Sequence, residues 1–452
     1  MTFSISNRIA RFIAGTGFED LPGAVVKMSK RCLLDFLGVA LASGKTDLIT
    51  HVSDLLFDME GKPEATVIGE GRKLPVLHAA LINGIKGHTL DMDDGNRYGN
   101  VHPAVVVFPA ALSLAEQQNI GGKEFIASVV AGYEATVYLA KIINPEHLRR
   151  GFHTTANTGA FGAAAACSKI LGLDLKQVEN ALAIAGLCGG GLLEVLNSGQ
   201  MMKPYQTARA AQAGLMAALL AKGGSQGPVL AFEGEKGFFR AYTDKKIGLE
   251  DFDGLGRDFE ILNTYFKRYS ACRHIHSALD AVEDMLKTFQ LSAKKITGVE
   301  VETYSIAFNL TGHRTTETSE IAAKFSMPVS IALMLAYGTL DPYVFSGNSI
   351  SSPLVQSLAD KVVVRVDPER DARYPEQRGA KVTITSGGQS YEKEVNYSKG
   401  EPESPITDEE LGNKFHENAG RLFPINRVRE IEENVLRLEN INTSRLVEAL
   451  AG

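Results

Sequence analysis

The sequence predicts a mainly α-helical protein, with a large all-helical domain and a smaller α/β domain. Up to about residue 265, apolar residues recur at helical spacing, and the stretches 159–171 and 208–221 are rich in Ala and Gly and poor in charge. After that point the pattern changes to the alternation and β-branched runs of strands. From about residue 407 it is helical again.

Helix starts are marked by two capping boxes. Asp174 with Gln177, and Thr407 with Glu410, each precede a helical run. We divide the chain into a first helical part, a smaller α/β domain and C-terminal helices, at residues 1–265, 266–400 and 401–452. The pattern alone leaves open whether the last part packs on the first.

Three strand signals define the smaller domain. They are the alternating residues 299–304, the β-branched run 362–366 before Pro368, and a hairpin over 382–391 that turns at Gly387 and Gly388. A helical pattern over residues 324–337 lies between them. Strands interleaved with a helix are typical of an α/β unit.

Composition excludes several classes of protein. The chain has 452 residues, 44% of them apolar, and a net charge of -6, with no Lys/Arg run longer than two residues. Such a charge does not suit a nucleic-acid binder. The four cysteines are far apart, so neither a disulfide framework nor a cysteine zinc site is expected. We expect a cytoplasmic protein, because we find no signal-peptide pattern and no uncharged apolar run of 18 residues.

The most informative segment is a short acidic one between two apolar helical stretches. Its carboxylates and imidazoles are Asp91, Asp93, Asp94, His88 and His102. Carboxylates drawn towards apolar walls have raised pKa values unless they are paired with cations, which suits proton transfer. The alternative is a solvated loop in which Asp93 and Asp94 cap the next helix.

Three further segments combine Gly with basic residues, at 149–155, 197–205 and 267–276. In the first, His153 precedes an Ala/Gly helix whose N-terminus favours an anion. In the second, Lys203 interrupts an uncharged stretch and needs an anionic partner. The third carries the densest cationic group, which consists of Lys267, Arg268, Arg273, His274 and His276. Together they suit a substrate with two or three carboxylates, although a capping histidine and ordinary surface charge are the alternatives.

Cofactor and metal motifs are weak. No P-loop or complete dinucleotide-binding glycine motif occurs. The run Asp-Met-Asp-Asp-Gly at 91–95 departs from a calcium loop in the position of its Gly and lacks the final Glu, and a terpene-cyclase use of its D-x-D-D lacks aromatic residues. His274 and His276 lack a third zinc ligand nearby. We therefore expect no cofactor and no metal; a metal-dependent enzyme that uses these Asp and His clusters is the alternative from another class.

The chain resembles the MmgE/PrpD family over nearly its whole length. The resemblance rests on Gly-His-Thr-Leu-Asp-Met-Asp-Asp at 87–94 with His-Pro at 102–103, Gly-Phe-His-Thr-Thr at 151–155, Met-Lys-Pro at 202–204, Phe-Glu-Gly-Glu-Lys-Gly-Phe at 232–238, residues 267–276 and residues 312–328. It implies a helical domain completed by the C-terminal helices, an α/β lid domain, a homodimer and a cofactor-free site between the domains.

The resemblance also implies site residues. Its decarboxylase branch places catalytic residues at Asp91, His102, His153, Lys203 and Lys267. Substrate-binding residues are then expected at Asp94, Cys272, Arg273 and His274. Two positions depart from that branch, because Gly95 replaces a threonine and Cys272 aligns with a histidine.

The resemblance, with these departures, favours a lyase of the 2-methylcitrate dehydratase type that acts on a small di- or tricarboxylate. An epimerase or decarboxylase of the iminodisuccinate or cis-aconitate type is the alternative within the family. A non-catalytic helical scaffold is the third. The shared chemistry removes a proton next to a carboxylate, and Lys203, Lys267 and Arg273 would stabilise the resulting dianion. His102 or Asp91 would be the base, and His153 or a neighbour would protonate the departing hydroxide.

Overall fold

The computed structural model describes residues 4–197, 201–315 and 319–452, and it confirms the mainly helical fold. Parts of two quoted segments, residues 198–200 and 316–318, lie outside the described residues. The helices of the first part are α1 (Ile5–Gly15), α2 (Gly23–Ala42), α3 (Asp47–Asp58), α4 (Val76–His88), α5 (Ala104–Gln118), α6 (Gly122–Ile143), α7 (Glu146–Arg149), α8 (Thr154–Ile170), α9 (Leu175–Gly186), α10 (Glu194–Asn197), α11 (Lys203–Lys222) and α12 (Phe238–Tyr242).

The Ala- and Gly-rich helices lie at the centre of the helical core, as predicted. Helix α8 packs on α6 and α11, and α11 also packs on α4. Glycines permit this close approach: a Cβ added to Gly214 would overlap the backbone of Ala160, and one added to Gly84 would lie 2.9 Å from Ala208. Helix α6 is long and apolar enough to cross a membrane, but it is mostly buried in the core, so this is weak evidence for a span.

Two short antiparallel ladders join loops of the helical part. One pairs β1 (Ala65–Thr66) with β2 (Lys73–Leu74). The other pairs β3 (Gly95–Asn96) with β4 (Thr264–Tyr265). This second ladder connects the acidic segment after α4 to the start of the basic segment 267–276.

The smaller unit has a mixed four-stranded sheet and its own apolar core. Its strands, in the spatial order β6-β5-β7-β8, are β5 (Ile296–Thr303), β6 (Val362–Val366), β7 (Ala380–Ser386) and β8 (Gln389–Val395). Strand β5 is parallel to β6 and antiparallel to β7. The predicted hairpin is confirmed, and its turn uses positive φ angles of 60° at Gly387 and 82° at Gly388.

The smaller unit also has seven α-helices among its described residues. They are α13 (His276–Phe289), α14 (Ser305–Thr311), α15 (Glu320–Lys324), α16 (Met327–Tyr337), α17 (Gly347–Ile350), α18 (Pro353–Ala359) and α19 (Pro368–Ala372). Of these, α13, α14 and α16 pack on the sheet. The single helix predicted over 324–337 is divided, because Ser326 caps α16 by accepting a hydrogen bond from the backbone N–H of Val329.

The C-terminal helices pack on the first part of the chain. They are α20 (Asp408–Ala419), α21 (Ile425–Leu436) and α22 (Thr443–Leu450). Helix α20 lies on α2, and Phe415 and Leu446 belong to the same apolar core as the early helices. Lys30 of α2 forms an ion pair with Glu439 at 2.9 Å. The last part of the chain therefore packs on the first part, which the sequence pattern left open.

Candidate active site

One pocket contains all the predicted site residues except Asp94. The predicted residues that line it are Asp91, His102, His153, Lys203, Lys267, Cys272, Arg273 and His274. Its remaining lining residues are Asn100, Leu148, Thr154, Leu193, Leu196, Tyr265, Leu310 and Phe325. The pocket therefore draws on the first helical part and on the smaller unit, and both charged and apolar side chains line it.

Asp91 lies between two lysines. Helix α4 ends at His88, and Asp91 follows in the left-handed backbone region with φ 51°, which non-glycine residues seldom adopt. Its Oδ1 accepts a hydrogen bond from Lys203 Nζ at 2.7 Å, and its Oδ2 lies 3.2 Å from Lys267 Nζ. Lys267 also donates to the Asp91 carbonyl oxygen at 2.9 Å. One carboxylate thus holds two ammonium groups at the pocket wall.

The charges of Asp91, Lys203 and Lys267 determine which of these side chains are ionised. Burial favours the neutral form of Asp91, but Lys203 and Lys267 outweigh it and hold the pKa of Asp91 far below its usual range. Burial works against the charge of Lys203 too, and the Asp91 carboxylate raises the pKa of that lysine. Asp91 is therefore ionised and a very weak base, so the geometry disfavours its predicted alternative role as the base.

The Nδ1 atom of the His102 ring lies close to two hydrogen-bond acceptors. It lies 2.7 Å from the Asp94 carbonyl oxygen and 3.0 Å from Asp93 Oδ2. Because both are acceptors, Nδ1 carries a proton and Nε2 presents its lone pair to the pocket. Burial lowers the pKa of His102; Asp93 opposes this shift, and Lys267 adds to it.

Asp93 also binds a second imidazole. Both of its carboxylate oxygens lie 2.9 Å from His88 Nδ1. Burial lowers the pKa of His88 to about 4, so a neutral His88 donates its Nδ1 proton to Asp93. His88, Asp93 and His102 are also the described residues whose potential metal ligands lie within 4.8 Å of one another. A metal ion there would have to replace hydrogen bonds that are already made.

His153 has the same proton arrangement as His102. It directly precedes α8, as predicted, and its Nδ1 lies 3.1 Å from Gln206 Oε1. The Gln206 amide donates its own Nε2 hydrogen to the Leu192 carbonyl oxygen at 3.1 Å, which fixes Oε1 as an acceptor. His153 therefore keeps Nδ1–H and turns Nε2 to the pocket. Burial and the nearby Lys203 hold its pKa well below the usual value.

Arg273 and Cys272 form another part of the wall. The Arg273 guanidinium donates to Glu401 Oε1 through Nε at 3.0 Å and Nη2 at 2.9 Å. The second Glu401 oxygen lies 3.3 Å from Arg97 Nη1, so two guanidinium groups share this carboxylate. Burial raises the pKa of the Cys272 thiol, which therefore faces the pocket as a neutral group.

Asp94 does not contact the pocket, which corrects its predicted role in substrate binding. Its carboxyl accepts hydrogen bonds from Tyr133 Oη at 2.8 Å and from the Ala104 backbone N–H at 3.2 Å. Burial raises its pKa to about 8. Neighbouring residues in this turn point in opposite directions, so Asp94 contributes only its backbone carbonyl, which orients His102.

Two further basic residues of the segment 267–276 are directed elsewhere. Arg268 pairs with Asp280 and Glu283, each at 2.9 Å. His276 contacts the Ala271 carbonyl oxygen and the Arg273 guanidinium rather than His274. The described geometry thus gives no support to the zinc arrangement that required His274, His276 and the Asp cluster to converge.

Several residues near the site were not predicted. Asp93 lay within the recognised motif, but nothing marked it as the partner of His102. Glu401, Gln206 and Tyr304 contact site residues from distant parts of the chain. No local sequence signal identifies such partners, because tertiary packing brings them together.

Tyr265 explains one departure from the decarboxylase branch. It pairs with Gly95 across the β3–β4 ladder, and its ring lies against that glycine. A Cβ at Gly95 would overlap the phenol, so a threonine side chain has no room while Tyr265 adopts this position. Tyr265 itself lines the pocket, and its ring fills the space beside Gly95.

Comparison with known proteins identifies the family. The MmgE/PrpD N-terminal domain model matches residues 7–249, and the MmgE/PrpD C-terminal domain model matches residues 269–440. The chain is 28% identical to the cis-aconitate decarboxylase-like protein oryM of Aspergillus oryzae, over 96% of this chain and 94% of that protein. It is 27% identical to the cis-aconitate decarboxylase of Aspergillus terreus (99% and 96% covered) and 27% identical to that of Homo sapiens (100% and 95% covered). The chain therefore belongs to the MmgE/PrpD family.

Proposed function

We propose that this protein is a cofactor-independent lyase that decarboxylates a small tricarboxylate of the cis-aconitate type. The observation that carries the proposal is the convergence of Lys203, Lys267 and Arg273 with three imidazoles on one pocket. Relatives named as cis-aconitate decarboxylases align with this chain over 94% or more of their length, which supports this reaction. The expected 2-methylcitrate dehydratase activity gains no specific support from these relatives, which favour its decarboxylase alternative.

The substrate chemistry sets what the pocket must do. In cis-aconitate one carboxylate is on a saturated carbon next to the double bond. When the bond from this carbon to its carboxylate breaks, CO₂ leaves and the electron pair of that bond forms a new double bond. The electrons of the original double bond then move to the carbon that bears another carboxylate. One proton added at that carbon completes the reaction. A trianion and a proton thus give CO₂ and a dianion.

The charged and the apolar side chains of the pocket suit the stabilisation of charge and the release of CO₂, respectively. Lys203, Lys267 and Arg273 lie where they can bind the carboxylates that remain and stabilise the charge that accumulates on them. Leu193, Leu196 and other apolar residues line the same pocket. Such apolar side chains suit the carboxylate that becomes neutral CO₂, because desolvation disfavours the charged reactant more than the neutral product.

His102 is the proton donor in this proposal. Its Nε2 faces the pocket, and Asp93 stabilises a positive charge on the ring. A bound trianion favours protonation of the imidazole, whereas the free site keeps it neutral. The role is the reverse of the base expected for a dehydratase.

The pH dependence distinguishes donor from base. The pKa of His102 in the free enzyme is lowered, mainly by burial, so its imidazolium form becomes populated only at a lower pH than that of a free imidazole. We expect kcat/KM to rise as the pH is lowered from 8 through this pKa. If His102 were a base, the pH profile of kcat/KM would have the opposite shape: kcat/KM would be constant near neutrality and would fall in acid. Profiles of the native protein and of His102→Gln, measured with one substrate, check which group causes the limb.

The direct test is turnover of cis-aconitate by the purified protein, followed by CO₂ release, with 2-methylcitrate, citrate and iminodisuccinate in parallel. The proposal expects CO₂ from cis-aconitate, with unchanged turnover after EDTA treatment. Lys203→Met, which keeps most of the unbranched side chain and removes its charge, should abolish release. Water elimination from 2-methylcitrate without CO₂ release from cis-aconitate would contradict the proposal.

A dehydratase is the second candidate, and the departures at Gly95 and Cys272 are the observations in its favour. Tyr265 fills the space that the Gly95 position leaves, and Cys272 supplies a neutral thiol instead of an imidazole. A pocket changed at these two positions could bind a hydroxylated tricarboxylate. The parallel assay with 2-methylcitrate and citrate measures this activity directly.

We also propose that the protein is a homodimer. Leu187 and Leu230 line one surface groove and are 68% and 57% exposed, and neighbouring Val229 is 77% exposed. Adjacent exposed apolar side chains are typical of protein contacts. We expect light scattering to give about twice the chain mass of 48.8 kDa. Leu187→Asp should shift the protein towards monomer, and a monomeric native protein at micromolar concentration would contradict the proposal.

A further inference from the structure

The third imidazole of the pocket, His274, has a partner unlike those of the other two. Its Nδ1 lies 2.6 Å from the Tyr304 hydroxyl. His102 and His153 instead contact oxygens that can only accept, namely carbonyl, carboxylate and amide oxygens. A hydroxyl can also donate, so the proton on His274 is free to lie on the other nitrogen.

The burial of Tyr304 decides whether the His274 proton lies on Nδ1 or on Nε2. Tyr304 is fully buried, and among the described residues His274 is the hydrogen-bond partner of its hydroxyl. If His274 Nδ1 carried the proton, the Tyr304 O–H would have nothing to donate to. Leaving a buried donor unsatisfied is destabilising, because the group loses its hydrogen bond to water and gains none in return. Donation from Tyr304 to Nδ1 avoids this cost and places the His274 proton on Nε2.

The surroundings keep this arrangement fixed and neutral. The Tyr304 ring stacks on Tyr374 with centroids 5.2 Å apart and planes at 26°. Burial holds the pKa of His274 well below its usual value, and the charges of Arg378 and Lys267 add to this shift. An imidazolium is therefore disfavoured, and its Nδ1–H would also leave the buried Tyr304 hydroxyl hydrogen without an acceptor.

We propose that Tyr304 is a positioning residue that holds His274 as the Nε2–H tautomer, so that His274 gives the pocket a fixed hydrogen-bond donor for a substrate carboxylate. The three imidazoles then divide their tasks: His102 and His153 present lone pairs that can take and return protons, and His274 binds without exchanging charge. This use of His274 rests on the proposed function, whereas its tautomer does not.

The tautomer is measured by ¹⁵N NMR of the native protein labelled at the histidine ring nitrogens, with the His274 signals assigned from their loss in His274→Gln. We expect Nδ1 of His274 to show the shift of an unprotonated nitrogen and Nε2 that of a protonated one. His153 should show the reverse pattern and serves as the internal control. A protonated Nδ1 on His274 would overturn the proposal.

Steady-state kinetics test whether Tyr304 affects substrate binding through His274. Tyr304→Phe keeps the stacked ring and removes the hydroxyl, so His274 can change tautomer, and KM for cis-aconitate should rise about tenfold with a smaller change in kcat. His274→Gln retains an N–H near the position of Nε2, and adding Tyr304→Phe to it should change KM less than twofold. An equal rise in both backgrounds would overturn the link through His274. If the NMR pattern is as expected but no substrate is turned over, the tautomer stands and the proposed function fails.

Discussion

Replacing His102 with glutamine is expected to lower kcat for cis-aconitate by roughly 10²- to 10⁴-fold, the range for loss of a general acid or base. Glutamine is polar and of similar size but cannot carry a proton to carbon. The side chain is partly open to the pocket and is not part of the apolar core, so folding should be preserved. Steady-state kinetics, with circular dichroism to confirm the fold, measure the effect.

A matched control separates the role of this imidazole from a general effect of losing a histidine. His51 is exposed on α3, far in sequence from the site. His51→Gln should leave kcat and KM unchanged. If His102→Gln retained more than a tenth of native kcat, another group would have to supply the proton, and His153 would be the next residue to test.

Replacing Asp91 with asparagine is expected to affect both activity and stability. The change leaves Lys203 and Lys267 buried with no carboxylate between them. Removing one partner of a buried ion pair costs about 3–5 kcal/mol, so the free energy of unfolding should fall by about this amount at pH 7. Turnover should be lost as well, because the carboxylate that sets the positions of the two ammonium groups is gone. Urea denaturation and the CO₂ assay measure the two effects.

Relief of the like charges provides the control for Asp91→Asn. The double variant Asp91→Asn, Lys203→Met removes one of the two ammonium groups and should be more stable than Asp91→Asn alone. A bound tricarboxylate should also raise the melting temperature of Asp91→Asn more than that of the native protein, because it replaces the missing anion. If Asp91→Asn unfolded at the native urea midpoint, the ion triad would not carry the energy assigned to it.

The fold could be predicted where local patterns determine it. The change of hydrophobic period near residue 265 indicated the sheet, and Gly387 with Gly388 marked the hairpin turn. The strand order β6-β5-β7-β8 could not be predicted, because β6 joins β5 in parallel after a long crossover whose path depends on packing. The return of the C-terminal helices to α2 likewise follows from tertiary contacts.

The site could be predicted as a set of segments but not as a set of contacts. Short motifs placed Asp91, Lys203 and Lys267 in unusual surroundings, and the structure joins them. Spacing does not fix side-chain direction, so Asp94 was assigned to the pocket while its neighbour Asp93 holds His102. The direction of each carboxylate depends on the turn after α4 and on Tyr133 and His88, which the local pattern does not specify.

The most direct measurement is proton NMR of the protein with cis-aconitate in D₂O. The proposed mechanism predicts loss of one carboxylate as CO₂ and a dicarboxylate product with a terminal CH₂ double bond and one deuterium, located on the carbon next to the other carboxylate. The signal should be absent with Lys203→Met. Deuterium exchange or water addition with all three carboxylates retained would contradict the claim that this pocket is a decarboxylase site.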